Sequence, residues 1–198
     1  MSSIDQSRQT KQRVPAAERR DALIDAAMEE FARGGLHGTP VDRIARRVGV
    51  AQPYVFSLFP TKRDLFIAAV ERCFGRTTEL FTEAAQAYDP DTAEPGSDVL
   101  SAMGERYVER LQNDKMLLML QLHSYAACDD DVIRERVRAA YARLLLHIRE
   151  ISGAEDEQVD EFIRVGMSLN VAAALGVEDL SLACDWIWAI VGEPPPAS

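Results

Sequence analysis

Apolar residues recur at intervals of three and four along almost the whole chain, the spacing of one face of an α-helix. Leu23, Ile24, Ala27, Met28 and Phe31 make the first stripe, and Gly34-Gly35 reads as its left-handed end. Thr39-Pro40-Val41-Asp42 reads as a second helix start: Thr39 the N-cap, Pro40 the first helical position, Asp42 the acid of a capping box. Val41, Ile44, Ala45 and Val48 continue this helix for only about two turns. Gly49 suits the positive φ of a tight turn. Gln52 to Phe59 forms another short helix, with Pro53 tolerated in its first turn and no side-chain cap at Ala51. Val55, Phe56 and Phe59 are assigned to the core with the preceding stripes. Thr61 to Asp64 is a further capping box, and it opens a long helix through Leu65, Phe66, Ala69, Val70 and Phe74 to about Ala87.

Beyond the loop at 89–97 (DPDTAEPGS), the pattern predicts helices over 98–112, 115–127, 130–151, 155–174 and 178–191. Breakers separate them, and Ser152 to Glu155 resembles another capping box. Residues 1–15 are polar and read as a disordered basic arm carrying Arg8, Lys11 and Arg13. Residues 192–198 (GEPPPAS) read as an unstructured tail. No stretch alternates like a strand. The fold class is all-α with about nine helices. A three-helix head over 16–62 joins, through a long fourth helix, a helical body over 63–191.

Charge changes this picture. The formal net charge of -10 argues, taken whole, against a nucleic-acid partner. It is unevenly placed. Residues 1–63 carry 11 Lys+Arg against 7 Asp+Glu, net +4, while residues 64–198 carry 11 against 25, net -14. Two parts of opposite sign suggest two tasks. The hydrophobic share of 47% excludes a disordered chain, and no run reaches a membrane span. The N-terminus shows no apolar secretory segment. Cys73, Cys128 and Cys184 are far apart and form no CxxC pair. A reduced, cytoplasmic location is the expectation.

Two short helices joined by a tight glycine turn make a helix-turn-helix, whose second helix enters the DNA major groove. Residues 19–66 resemble the DNA-binding domain of TetR-type bacterial transcriptional regulators. The resemblance rests on Ala26-Ala27, Phe31, Gly35, Thr39, Ile44-Ala45, Gly49-Val50, Phe56, Phe59, Lys62 and Leu65. It implies a homodimer that binds a palindromic operator in double-stranded DNA, represses transcription, and is released by a small-molecule effector in the larger C-terminal domain. An activator, or a ligand-independent DNA binder of the same fold, is the alternative. The long fourth helix would link the effector pocket to the reading head. The family usually carries Tyr at the position of Phe56, whose hydroxyl contacts a phosphate; Phe56 lacks that group.

Gln52 is the first candidate for reading bases, since its amide pairs bidentately with adenine. Pro53 offers an apolar contact, and Tyr54 and Ser57 offer hydroxyls to a base or phosphate. Thr39 and its helix end, Arg43 on the polar face of the second helix, and Lys62 complete the DNA-contacting set. In the body, the Met- and Tyr-rich segments suggest effector contacts at Met103, Tyr107, Leu111, Met119, Leu122, His123 and Tyr125. Phe162, Gly166, Met167 and Asn170, with Trp186, Ile187 and Ile190, form stripes assigned to the dimer interface. The five-residue gap between His123 and Cys128 suits no helical metal site, so neither metal nor cofactor is expected. The sequence holds no GxSxG, HExxH or phosphate loop, so no enzyme is expected either.

Overall fold

The computed structural model describes residues 15–177 and residue 180. Within them lie eight helices and no strand: α1 (Ala16–Gly38), α2 (Val41–Arg47), α3 (Gln52–Leu58), α4 (Lys62–Ala87), α5 (Val99–Asn113), α6 (Met116–Ala126), α7 (Asp131–Ser152) and α8 (Asp156–Ala174). Of the expected arm at 1–15 only Pro15 is described, and of the expected ninth helix at 178–191 only Leu180; the rest of both, and the tail at 192–198, lie outside the described residues. None of the described helices is long and apolar enough to cross a membrane.

The predicted stripe of α1 is fully buried, and Phe31 meets Phe66 of α4 edge-on with centroids 5.0 Å apart. Ile44 and Ala45 of α2 and Val55 and Phe59 of α3 close this small core. The α2–α3 turn is a Schellman end: Gly49 has φ 68°, its amide donates to the Arg46 carbonyl, and the Val50 amide donates to the Ala45 carbonyl. The capping box at α4 forms as predicted, with the Asp64 amide donating to Thr61 Oγ1 and the Thr61 amide to the Asp64 carboxylate.

Three local expectations are corrected. Thr39 does not cap α2, whose N-cap is Pro40 without a side-chain bond. The Thr39 hydroxyl is 1% exposed and donates to the Glu30 carbonyl, tying the interhelix turn back onto α1. Ser152 starts no helix: it is the last residue of α7, and the box at α8 is made by Glu155 and Gln158. Gly35 is not an αL cap. It breaks α1 internally at φ 61°, ψ -172°, a conformation that is essentially glycine's alone.

That break has a packing cause. A Cβ at Gly35 would stand 2.8 Å from His123 Nδ1 of α6, and one at Gly34 would stand 2.8 Å from Thr39 Oγ1. Two adjacent glycines thus let α1 touch the body on one side and the α2 turn on the other. The head is further bound to the body by ion pairs. Arg72 of α4 bridges Asp21 and Asp25 of α1, Arg76 joins Asp25, and Arg63 reaches Asp130 at the start of α7.

Gly35→Ala should lower the unfolding free energy by about 1–3 kcal/mol, because the backbone conformation and the His123 contact both oppose a methyl group. Gly38→Ala, with ordinary φ and open space around it, should be neutral or slightly stabilising. Urea unfolding of the two variants beside the parent protein measures the difference.

Candidate nucleic-acid interface and ligand cavity

Helix α3 buries one side only. Val55 and Phe59 point inward, while Gln52, Pro53, Phe56 and Ser57 stand out to solvent. Phe56 is therefore not core. It is 38% exposed, because it lies about 100° around the helix from Val55 and shares the outer face with Gln52 and Pro53. Tyr54 is half-buried towards α1, with the Arg19 guanidinium 5.8 Å above its ring. The Ser57 hydroxyl donates to the Tyr54 carbonyl at 2.7 Å. Ala51 makes no side-chain cap, as the sequence indicates.

The other predicted contacts are tied into the head. Arg43 reaches Glu30 at 3.5 Å, and Arg33 and Arg47 also bond that carboxylate, at 3.1 and 3.3 Å. Arg47 pairs with Glu29 as well. Glu30 is only 3% exposed, so these three arginines supply the counter-charge a buried carboxylate requires. Thr39, being buried, has no hydroxyl to offer DNA. Lys62 Nζ donates to the His37 carbonyl in the last turn of α1, at 3.3 Å. Partial burial draws the Lys62 pKa below the ordinary lysine value.

In the body, α4 to α8 surround a cavity of about 590 Å³, within the range of small-molecule sites. Its inner wall holds Phe81, Leu100, Leu144 and Leu169 with two buried polar pairs. The Tyr107 hydroxyl donates to Asn170 Oδ1 at 2.7 Å. Gln121 Nε2 donates to Thr77 Oγ1 at 3.0 Å. Burial pushes the Tyr107 and Tyr125 hydroxyls well above the ordinary phenol range, so both stay neutral. The aromatic rings interlock: Phe81 meets Phe162 at 5.5 Å and Tyr107 at 5.6 Å, and Tyr125 meets Tyr141 at 6.4 Å. Asp98, Glu157 and Glu161 stand exposed where the cavity opens.

Of the seven expected effector contacts, the structure brings Tyr107 and Tyr125 to this wall. Met103 and Leu111 are buried in the core behind it, and Leu122 packs half-buried against that core. Met119 and His123 face α1 instead. Phe162, Gly166, Met167 and Asn170, expected at a dimer interface, line the cavity. Asn170, 2% exposed within the single subunit, cannot serve an interface. Trp186, Ile187 and Ile190 lie outside the described residues. Thr77, Phe81 and Gln121 were not singled out from the sequence. The lone amide of Gln121 in the apolar run of α6 was the available signal.

Residues 23–69 match the model of the bacterial regulatory proteins of the tetR family. The head is 40% identical over 60 residues to the HTH-type transcriptional activator FasR of Mycolicibacterium smegmatis. That stretch is 30% of this chain and 27% of the length of FasR. The whole fold is similar to that of the transcriptional regulator FadR from Bacillus subtilis, solved in complex with stearoyl-CoA. The TM-score is 0.64 at 18% identity, over 88% of this chain and 99% of that one. It is also similar to the multidrug binding protein EbrR complexed with proflavin, with a TM-score of 0.56 at 20% identity over 83% and 95% of the two chains.

Tyr107→Phe removes the donor from a buried carbonyl and should cost about 1–3 kcal/mol of stability. In a double-mutant cycle with Asn170→Leu, the second substitution should remove most of that cost, since no acceptor is then left unpaired. Denaturant unfolding of the four proteins reads the coupling.

Proposed function

We propose that this chain, a TetR-type protein by its DNA-binding domain and its fold, is a transcriptional regulator whose operator affinity is set by a small molecule in the α4–α8 cavity. The observation that carries this reading is the pairing of an outward α3 face with a formed cavity, joined by the long helix α4 that follows α3 directly and lines the cavity with Thr77 and Phe81. Gln52 would read a base edge, and Pro53 and Phe56 would lie against thymine methyl groups. Lys62, at the first turn of α4, would exchange the His37 carbonyl for a phosphate. Tyr54 and Ser57 play a lesser part, because one packs on α1 and the other is bonded within its helix.

The protein acts as a homodimer, so that two α3 helices meet half-sites one duplex turn apart. The outer face of α8 suits the interface: Val171 is exposed and Leu175 is 63% exposed, with Ser168 and Ala174 beside them. Effector binding reaches the head by two routes. Thr77 and Phe81 touch the cavity on the same helix that starts at Lys62. On α6, Gln121 and Tyr125 touch it from one face while Met119 and His123 press on α1 from the other. An effector acts only by binding the DNA-incompetent arrangement better than the competent one. Where the bound dimer blocks a promoter, effector release of DNA means repression. The head similarity to the activator FasR favours activation as a second reading, which a promoter–reporter fusion with and without the gene separates.

Gln52→Ala should cost about 1–3 kcal/mol on the preferred operator and flatten discrimination at one base pair. Lys62→Ala should weaken all sequences alike and reduce the salt slope by about one unit. Gel shifts on the DNA beside its own gene, with single-base variants and a salt series, test both. A parent protein that ignores this DNA overturns the reading.

Val171→Asp with Leu175→Asp should halve the apparent mass in analytical ultracentrifugation while leaving the helical circular dichroism intact. An unchanged mass places the interface elsewhere.

A further inference from the structure

We propose that the cavity takes an organic cation with a flat aromatic or apolar body, and discriminates against anionic acyl thioesters. The inference rests on the effector reading above and names the chemistry of its ligand. The first ground is charge. Among the described residues the lining contains Asp98, Glu157 and Glu161 against a single cation, Arg164. That guanidinium pairs with Asp160 through Nε at 3.1 Å and with Glu161 through Nη2 at 2.7 Å, which leaves Asp98 and Glu157 as the lining carboxylates without an ion pair among the described residues. Hydrogen bonds from the Ser101 amide and hydroxyl hold Asp98 below the usual carboxylate range, so it stays ionised at neutral pH.

A phosphate-bearing ligand needs arginine or lysine forks at its oxygens. Here the opening presents carboxylates instead, which raise the local concentration of cations and repel anions.

The second ground is the lining itself. Phe81, Tyr107, Tyr125, Tyr141 and Phe162 contribute five aromatic rings to one cavity. Ring faces carry negative potential and attract a desolvated cation. The polar groups within are uncharged. Asn170 uses its carbonyl on Tyr107. A neutral, ring-lined interior behind an acidic opening is suited to a delocalised cation, which sheds water at small cost.

The test uses the full-length protein in isothermal titration at fixed salt. Proflavin and tetraphenylphosphonium are the cationic probes and stearoyl-CoA is the anionic one. At least one cation should bind at least about tenfold tighter than stearoyl-CoA. Glu157→Gln with Glu161→Gln, both exposed positions, should weaken the cations severalfold and flatten their salt dependence. Gly104→Leu should abolish binding by filling the cavity, since a Cβ there already stands 3.6 Å from Phe162. Circular dichroism confirms that each variant is folded.

Tighter binding of stearoyl-CoA, no binding of either cation at about 1 mM, or cation binding untouched by both variants would each overturn the proposal. Gel shifts run in parallel keep the two readings apart. Operator binding without cation binding sinks only the ligand class. Cation binding in the cavity without operator binding sinks only the regulator.

Discussion

The structure depends on α4 belonging to two cores at once. Its first turns bury Leu65, Phe66, Ala69 and Val70 against α1, where the edge-on contact of Phe31 with Phe66 anchors the head. Its later turns place Thr77 and Phe81 at the cavity. Between them Cys73 is buried, with its thiol donating to the Leu117 carbonyl of α6 and its pKa pushed up to about 12 by burial. From Lys62 to Phe81 is about 29 Å of unbroken helix. A close-packed element of this kind transmits displacement rather than absorbing it. Whatever fills the cavity is mechanically in touch with the start of α4 and, through it, with the head.

The second link is α6, and it works by geometry. Residues four apart on a helix share a face, and residues two apart lie almost opposite. Gln121 and Tyr125 therefore look into the cavity, while Met119 and His123 look at α1. The break at Gly35 exists to receive His123. The glycine pair in the head is thus explained by the body, although the two lie far apart in sequence.

Electrostatics separates the two parts further. In the head, Glu30 is buried under Arg33, Arg43 and Arg47, so Arg43, which reads as a free DNA contact, is committed with the other two to holding α1 and α2 together. The body is acidic overall, and part of that charge gathers at the opening of the cavity. Carboxylates in excess repel anions, at the outer surface of the body as at the cavity opening.

Much of this was legible in the chain. Helix spans, the Gly49 turn, the Thr61 capping box and the one-sided core of the head follow from spacing and local chemistry, which act over four residues or fewer. The direction of each side chain in the body was not legible. Apolar residues lie on every side of α6 because neighbours cover most of it, so periodicity cannot say which face meets α1 and which lines a cavity. The same ambiguity sent Phe162 and Asn170 to an interface and left Thr77 and Phe81 unnoticed. Phe56 erred the other way: an aromatic ring reads as core, and only the docking of α3 on α1 and α2 turned it outward. The sequence by itself determined the helices, their order, the reading head and the division of charge. Tertiary packing alone decided where the cavity lies, what lines it and which arginines remain free, because those depend on which faces of separate helices meet.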